Sequence, residues 1–282
     1  MKVSVLLLTY NEEKNLPLCL DALSWCDDIV VVDSGSSDRT IEIAQTTGAR
    51  ILTRPFDTFA DQRNHGLQFG DFRHDWVLHL DADEIVTPEF EASLDALEPT
   101  EGIDAYQVPS KMMFLGRWLK HAGMWPVYQV RLGHKDKLRF IQVGHGQREA
   151  IPPTRIGMFH EPYLHYSFSH GLAAWLRKHV RYADDEARLI VSSRYEADME
   201  MAAVADGSDA SFKRRRLKRW ANRLPLFCRP PARFFYIYII RQGFRDGVRG
   251  LTYAFMLSIY ESMISLIAYE QIWIRKNKIN TY

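Results

Sequence analysis

Two carboxylates stand one residue apart in Asp81-Ala82-Asp83, directly after the apolar run Trp76-Val77-Leu78-His79-Leu80. Held that close, they repel each other unless a positive charge sits between them. A divalent cation, Mg²⁺ or Mn²⁺, does this well, because it prefers carboxylate oxygens and keeps phosphate oxygens as further ligands. The plainer alternative is a solvated acidic turn that caps the next helix. Asp33 ends a second apolar run, Ile29-Val30-Val31-Val32. There it can accept hydrogen bonds from a base or a ribose, or simply cap its own turn. Ser34-Gly35-Ser36 brings small side chains and backbone donors, but not the spacing of a P-loop. No G-x-G-x-x-G follows the first apolar run either.

Spacing disfavours several other chemistries. His160 and His165 are five apart with Pro162 between them, which disrupts the helix that a zinc protease needs. No G-x-S-x-G elbow occurs. Cys19, Cys26 and Cys228 form no C-x-x-C pair and read as free thiols of a reducing compartment.

These residues need elements to hold them. Residues 3–8, 28–33, 49–54 and 76–80 are short apolar runs suited to buried strands. Residues 15–23, 38–47 and 59–69 read as helices between them, and Thr87 and Pro88 open another. Strands separated by helices of this length imply βαβ units and a parallel sheet. Ligands of such sheets bind beyond the carboxyl ends of the strands. The polar residues fall there: Thr9, Asn11 and Glu13 after the first strand, Asp33 after the second, Asp81 and Asp83 after the fourth. Strand-like pieces follow at 105–108, 128–132 and 139–143, then a charged helical stretch at 171–206.

Four segments together resemble the sequential motifs of glycosyltransferase family 2, in order and with family-like spacing. They are Thr9-Tyr10-Asn11-Glu12-Glu13, the run from Val32-Asp33-Ser34-Gly35 to Thr40, Gln62-Arg63-Asn64-His65-Gly66, and Leu80-Asp81-Ala82-Asp83-Glu84. Arg241-Gln242-Gly243-Phe244-Arg245-Asp246-Gly247, and His165-Tyr166-Ser167 followed by Lys178 and Tyr182, are similar to the bacterial lipopolysaccharide-core β-glucosyltransferase subgroup. The resemblance implies an α/β GT-A fold with a mostly parallel central sheet and a C-terminal helical extension. It places the glycosyltransferase domain at 1–165, with nucleotide-sugar binding in 1–100 and the acceptor side in 101–165. Residues 166–282 would be a helical, membrane-associated extension.

The same resemblance implies roles for single residues. Thr9 and Asp33 would hold the base and ribose of UDP, with Asn11, Glu13 and Arg63 in the same pocket. Asp81 would face the ribose and Asp83 would ligate the metal at the diphosphate. His165 and Lys178 would add a metal or phosphate contact, unless His165 is a satisfied structural histidine. An inverting transfer also needs a base for the acceptor hydroxyl. In Gly144-His145-Gly146-Gln147-Arg148-Glu149 that base is Glu149, with His145 as the alternative and a surface ion pair as the plain use of Glu149. The implied reaction moves a hexose, glucose being a candidate, from a UDP-sugar to lipopolysaccharide core or a polyprenyl-linked exopolysaccharide unit, with a β-linkage. A nucleotidyltransferase would show a Gly-rich, basic loop after its first strand, which residues 9–13 lack. An inactive membrane-surface scaffold would have no need of two repelling carboxylates.

Net charge points to no partner, since 36 Lys and Arg meet 35 Asp and Glu. The distribution says more. Residues 213–233 are rich in Lys and Arg with no acid, and Leu226-Phe227 and Phe234-Phe235-Tyr236 lie among or after them. That mixture suits an anionic membrane surface better than a plain solvated face, and no nucleic-acid partner is expected. Residues 251–268 are apolar but interrupted by Glu261, so a membrane span is not expected. Met1-Lys2 runs straight into an apolar segment too short for a signal peptide. The expected location is cytoplasmic, peripheral at the inner face of a bacterial inner membrane.

Overall fold

The computed structural model describes residues 1–143, 146–196 and 224–277. The chain falls into two units, Met1–Trp118 with Trp125–Ser169, and Leu119–Met124 with the chain from His170 onward. In the first unit, four apolar runs pair in parallel as β1 (Ser4–Thr9), β2 (Ile29–Asp33), β3 (Arg50–Thr53) and β4 (Trp76–Asp81), in the spatial order β3-β2-β1-β4. Strand side chains alternate between faces, and here both faces are covered, which is why the runs are continuously apolar. Val5, Leu7, Val31, Leu78 and Leu80 pack with α1 (Leu16–Asp21), α2 (Thr40–Thr46) and α4 (Pro88–Asp95), through Leu16, Leu20, Ala44, Phe90 and Leu94. Leu6, Val30, Val32 and Val77 face α3 (Phe59–Phe69), meeting Ala60 and Leu67. The approach of α3 is close: a Cβ on Gly66 would lie 2.6 Å from Leu6 Cδ1. Thr58 and Thr87 cap α3 and α4 by accepting the N–H groups of Asp61 and Phe90.

Beyond β4 the sheet admits antiparallel neighbours. β8 (Val127–His134) lies between β4 and β6 (Ala105–Phe114), and β12 (Tyr163–His165) joins β6 to β5 (Glu84–Ile85). β7 (Arg117–Trp118) and β11 (Ile156–Met158) also pair on β6. β9 (Phe140–Val143) and β10 (Gly146–Glu149) form a separate hairpin. The strand expected at 105–108 thus runs ten residues. β5, β7, β11 and β12 are two or three residues each, too short to leave a periodic signal.

The second unit is helical. Ala183, Ala187, Ile190 and Val191 of α5 (Leu172–Glu196) meet Ile264 and Ala268 of α7 (Gly247–Asn277), with Leu226 beside them. α6 (Arg229–Phe235) leads into a π-helical turn at Tyr236–Ile240 and a 3-10 turn at Gly243–Asp246. The motif at 241–250 does structural work here. Gln242 and Gly247 take φ values of +58° and +63°. Asp246 Oδ2 accepts the N–H groups of His121 and Ala122 at 3.0 and 2.7 Å. A Cβ on Gly250 would lie 1.9 Å from the Gly243 carbonyl oxygen. Arg229 and Glu261 pair at 2.5 Å between two largely buried side chains. By length and composition residues 243–277 could cross a membrane, although 39% of their most apolar stretch is buried inside the protein. His145, residues 197–206 of the expected helix and residues 213–223 of the basic run lie outside the described residues.

Candidate functional site

Three parallel strands end side by side. Thr9 is in register with Asp33, and Leu8 with Asp81, so Thr9, Asp33 and Asp81 line the carboxyl edge of β1, β2 and β4. The loops after β1 and β2 are tied together there. Thr9 Oγ1 and Ser36 Oγ donate to Asp33 Oδ2 at 2.8 and 2.6 Å. The N–H groups of Gly35 and Ser36 donate to Asp33 Oδ1 at 2.9 and 2.8 Å. Asp33 is fully buried, and four donors of the chain occupy its two oxygens. It therefore anchors this turn, and accepting from a base or ribose would require Thr9 or Ser36 to turn away. Asn11, at φ +55°, accepts the Ser37 N–H at 2.8 Å and gives its own N–H to Ser36 Oγ at 2.8 Å. Glu13 sits at the exposed rim, its Oε2 3.5 Å from Arg39 Nε.

Asp81 is held by two guanidiniums. Arg63 Nη2, from α3, donates to Oδ1 at 2.7 Å, and Arg131 Nη2, from β8, donates to Oδ2 at 3.0 Å. Arg131 also donates to Glu84, and its Nε reaches the Tyr163 hydroxyl oxygen at 3.3 Å. Glu84 is fully buried, and its second oxygen accepts the Asp81 N–H at 3.0 Å. Burial alone would raise the Asp81 pKa, but Arg63 and Arg131 outweigh it and hold the carboxyl below its usual range. Glu84 moves the other way, since burial and the charge of Asp81 outweigh Arg131. Among the described residues Arg63 Nε and Nη1 find no partner, nor does either ring nitrogen of His79. His79 precedes Asp81 by two residues on the same strand, edge-on to Phe140 at 5.3 Å, and its burial keeps it neutral.

Asp83 lies in the turn between β4 and β5. The antiparallel pairing of β5 with β12 sets His165 opposite Glu84, and His165 Nε2 is 3.6 Å from Asp83 Oδ2. Burial pushes the His165 pKa down, but the facing Asp83 carboxylate outweighs it and the value rises to about 9. Both side chains remain about a quarter exposed. Once its proton is released, the His165 imidazole nitrogen and the Asp83 carboxylate oxygen, both reachable, fit a divalent cation whose other ligands are phosphate oxygens. Asp81 is less suited to that role, because Arg63 and Arg131 already supply positive charge to its two oxygens, each of which keeps one lone pair open. Among the described residues no three His, Cys, Asp or Glu are grouped so as to hold a metal ion by themselves. The repulsion expected between Asp81 and Asp83 is thus relieved by the chain's own cations, a solution that D-x-D spacing does not reveal.

The remaining candidates are more scattered. Glu149 stands on β10 opposite Phe140, whose ring centroid is 5.9 Å from Arg63 Cζ. It is half-buried and makes no ion pair among the described residues, with Arg148 or any other cation. Lys178 belongs to the second unit, on α5, with its ammonium 5.6 Å from the Tyr182 ring centroid. Arg131 and Glu84 escaped the reading of the sequence as site residues. The usable signal was a lone Arg in the strand Tyr128-Gln129-Val130-Arg131-Leu132, since a charge inside a buried strand needs a partner.

Residues 4–159 match the family described as glycosyl transferase family 2. An uncharacterized glycosyltransferase of Rickettsia typhi is 29% identical over 119 residues, which is 41% of this chain and only 40% of the relative's length. The lipopolysaccharide core biosynthesis glycosyltransferase LpsC of Rhizobium meliloti is 23% identical over 277 residues, 96% of this chain and 93% of that one. Among solved structures, glucosyl-3-phosphoglycerate synthase from Mycobacterium tuberculosis, in complex with Mn²⁺ and UDP-glucose, is 19% identical. Its TM-score is 0.43, covering 58% of this chain and 71% of that chain.

Proposed function

Because this chain belongs to glycosyl transferase family 2, we propose that it transfers a hexose from a UDP-sugar to a lipopolysaccharide-core or polyprenyl-linked glycan, inverting to a β-linkage. One observation carries the donor half: Thr9, Asp33 and Asp81 end three adjacent parallel strands, with Asp83 and His165 paired at 3.6 Å after the last of them. A sheet of this kind takes its ligand at that edge. Similarity to LpsC along nearly the whole chain supports the acceptor class.

Asp83 and His165 are the residues that would hold Mg²⁺ or Mn²⁺, which when bound offsets the charge developing on the departing diphosphate. Asp81, immobilised by Arg63 and Arg131, keeps lone pairs for the ribose hydroxyls. Asn11 ties the loop after β1 to the turn at 34–37, which fixes the floor under the base. The acceptor hydroxyl attacks the anomeric carbon from the face opposite the diphosphate and gives up its proton to a base on that side. Glu149 is that base in this assignment, its carboxylate uncommitted to any cation among the described residues. The seven Lys and Arg of residues 213–223 support a peripheral position at the cytoplasmic face of the inner membrane, where a lipid-borne acceptor is presented.

Calorimetric titration of UDP into the full chain, with Mn²⁺ and with EDTA, tests the donor site. Binding that needs metal and disappears in Asp83→Ala is the expected result. A folded protein that binds none of UDP, GDP or dTDP with any divalent metal would overturn the assignment.

A further inference from the structure

The second unit carries a surface that sugar transfer does not use. A helix on the outside of a protein is apolar on its inner face and polar on the other. The inner face of α7 obeys this, with Tyr253, Ala254, Met256, Leu257, Ile264 and Ala268 buried. Its outer line does not: Val248, Phe255, Ile259, Leu266, Tyr269 and Trp273 expose 79, 55, 48, 56, 48 and 49% of their surface. Steps of seven, four, seven, three and four residues keep all six on one side. The line extends about 37 Å at 1.5 Å per residue. It carries no charge from Val248 to Leu266, and Glu270 is the one exposed charged residue as far as Trp273.

The ends of this line are cationic, with Arg245 and Arg249 at the start and Arg275 and Lys276 at the finish. Residues 224–277 hold seven Lys and Arg against three acids. Two of those acids are committed, Glu261 to Arg229 and Asp246 to the amides of His121 and Ala122. We propose that the outer line of α7 docks in the plane of an anionic lipid bilayer, its apolar side chains in the acyl boundary and its terminal cations on the head groups. Aromatic Tyr269 and Trp273 suit that depth. A transverse orientation is disfavoured, because α5 packs along α7 and would carry Arg177, Lys178, Arg181, Asp184, Asp185 and Arg188 into hydrocarbon. A second copy fits less well, since full-length pairing of two such helices sets cationic ends against cationic ends in either direction.

The purpose of such docking rests on the proposed membrane-borne acceptor, but vesicle binding needs neither UDP nor metal, so the two fail separately. The test is co-sedimentation of the full chain with phosphatidylglycerol/phosphatidylcholine vesicles and with phosphatidylcholine alone. It is repeated with the double variant Phe255→Ser/Leu266→Ser. Both side chains expose over half their surface, so the fold and UDP binding remain while partitioning falls at least about tenfold. Binding to the anionic vesicles should exceed binding to the neutral ones and weaken in high salt. A wild-type chain that ignores anionic vesicles, or a double variant that binds them as tightly, overturns the proposal. So does a double variant whose vesicle binding is unchanged while analytical ultracentrifugation shows a dimer falling apart, which would make a second copy the occupant.

Discussion

Replacing Arg131 by Leu removes the counter-charge of a wholly buried carboxylate. The Arg131 side chain is 5% exposed and that of Glu84 is wholly buried, so water cannot take over when the guanidinium goes. Asp81 keeps Arg63 and has a third of its side chain open to solvent, so the damage concentrates on Glu84. Deleting one partner of a buried pair costs about 3–5 kcal/mol. Adding Glu84→Leu removes the stranded carboxylate. What remains lost is the bond from the Asp81 N–H, about 1 kcal/mol, and the second donor to Asp81, about 1–2 kcal/mol in its partly exposed setting. The double variant is therefore expected to be more stable than Arg131→Leu alone by about 1–2 kcal/mol. Urea unfolding of the wild type, both single variants and the double variant closes the cycle. A single variant within about 1 kcal/mol of wild type, or losses that simply add in the double, would refute the picture of Arg131 as the counter-charge that makes Glu84 tolerable.

Acid should unfold the first unit through Asp28 and Asp104. Burial alone would raise Asp28, but Ser4, the Arg73 N–H and Arg50 outweigh it; burial likewise opposes Asp104, which Arg155 and Lys137 pull down. Both folded pKa values lie below the unfolded value of about 3.9. Their stabilisation is therefore present above that value and lost as pH falls through the folded ones. The melting temperature should hold to about pH 5 and drop below about pH 4, with a shallower acid limb in Asp28→Asn; an unchanged limb counts against it. Gly250→Ala puts a methyl carbon into the Gly243 carbonyl, which backbone cannot yield cheaply, and should cost at least about 2 kcal/mol in the second unit. A protein that tolerates it without loss would show that the turn at 243–250 is built otherwise. His79→Leu should leave stability level or raised by up to about 1 kcal/mol, because the buried ring nitrogens find no partner among the described residues. A loss above about 2 kcal/mol would point to a hydrogen bond there.

The parallel half of the GT-A architecture was legible because each of its strands is buried on both faces. Continuous runs such as Val3 to Leu8 and Asp28 to Asp33 have few other uses. The antiparallel half was not, for two physical reasons. Dyads such as Glu84-Ile85 become strands only through a neighbour already in place, here Leu164 and His165. Residues 105–114 include Pro109, which disguises a ten-residue strand. The meeting of Thr9, Asp33 and Asp81 at one edge was legible from strand ends alone, but the counter-charges were not. Asp81 draws Arg131 from fifty residues away, and Asp83 draws His165 from a strand three residues long. The tail motif at 241–250 was recognisable by resemblance, while its cause, positive φ at Gln242 and the 1.9 Å clearance at Gly250, is a matter of backbone geometry.

Two carboxylates that look equivalent in D-x-D have different partners, and substitution should separate them. Asp81 accepts from two guanidiniums, one 2% and one 5% exposed, so Asp81→Asn strips charge from a spot where Arg63 has no other partner among the described residues. Charge-assisted bonds are worth about 1.5–3 kcal/mol each, and the one-third exposure of Asp81 discounts the pair to about 2–3 kcal/mol in all. Among the described residues Asp83 faces His165, at 3.6 Å with both a quarter exposed, and its charge is what lifts the His165 pKa, so Asp83→Asn should cost about 1 kcal/mol, less than Asp81→Asn. Metal-dependent UDP binding should show the reverse order: gone in Asp83→Asn, and weakened but still metal-dependent in Asp81→Asn at a temperature where it is folded. Thermal melts and calorimetry on the same preparations give both readouts. If the two variants melt alike and lose UDP alike, Asp81 and Asp83 act as one joint ligand, and the division of labour drawn from their guanidinium and imidazole partners is wrong.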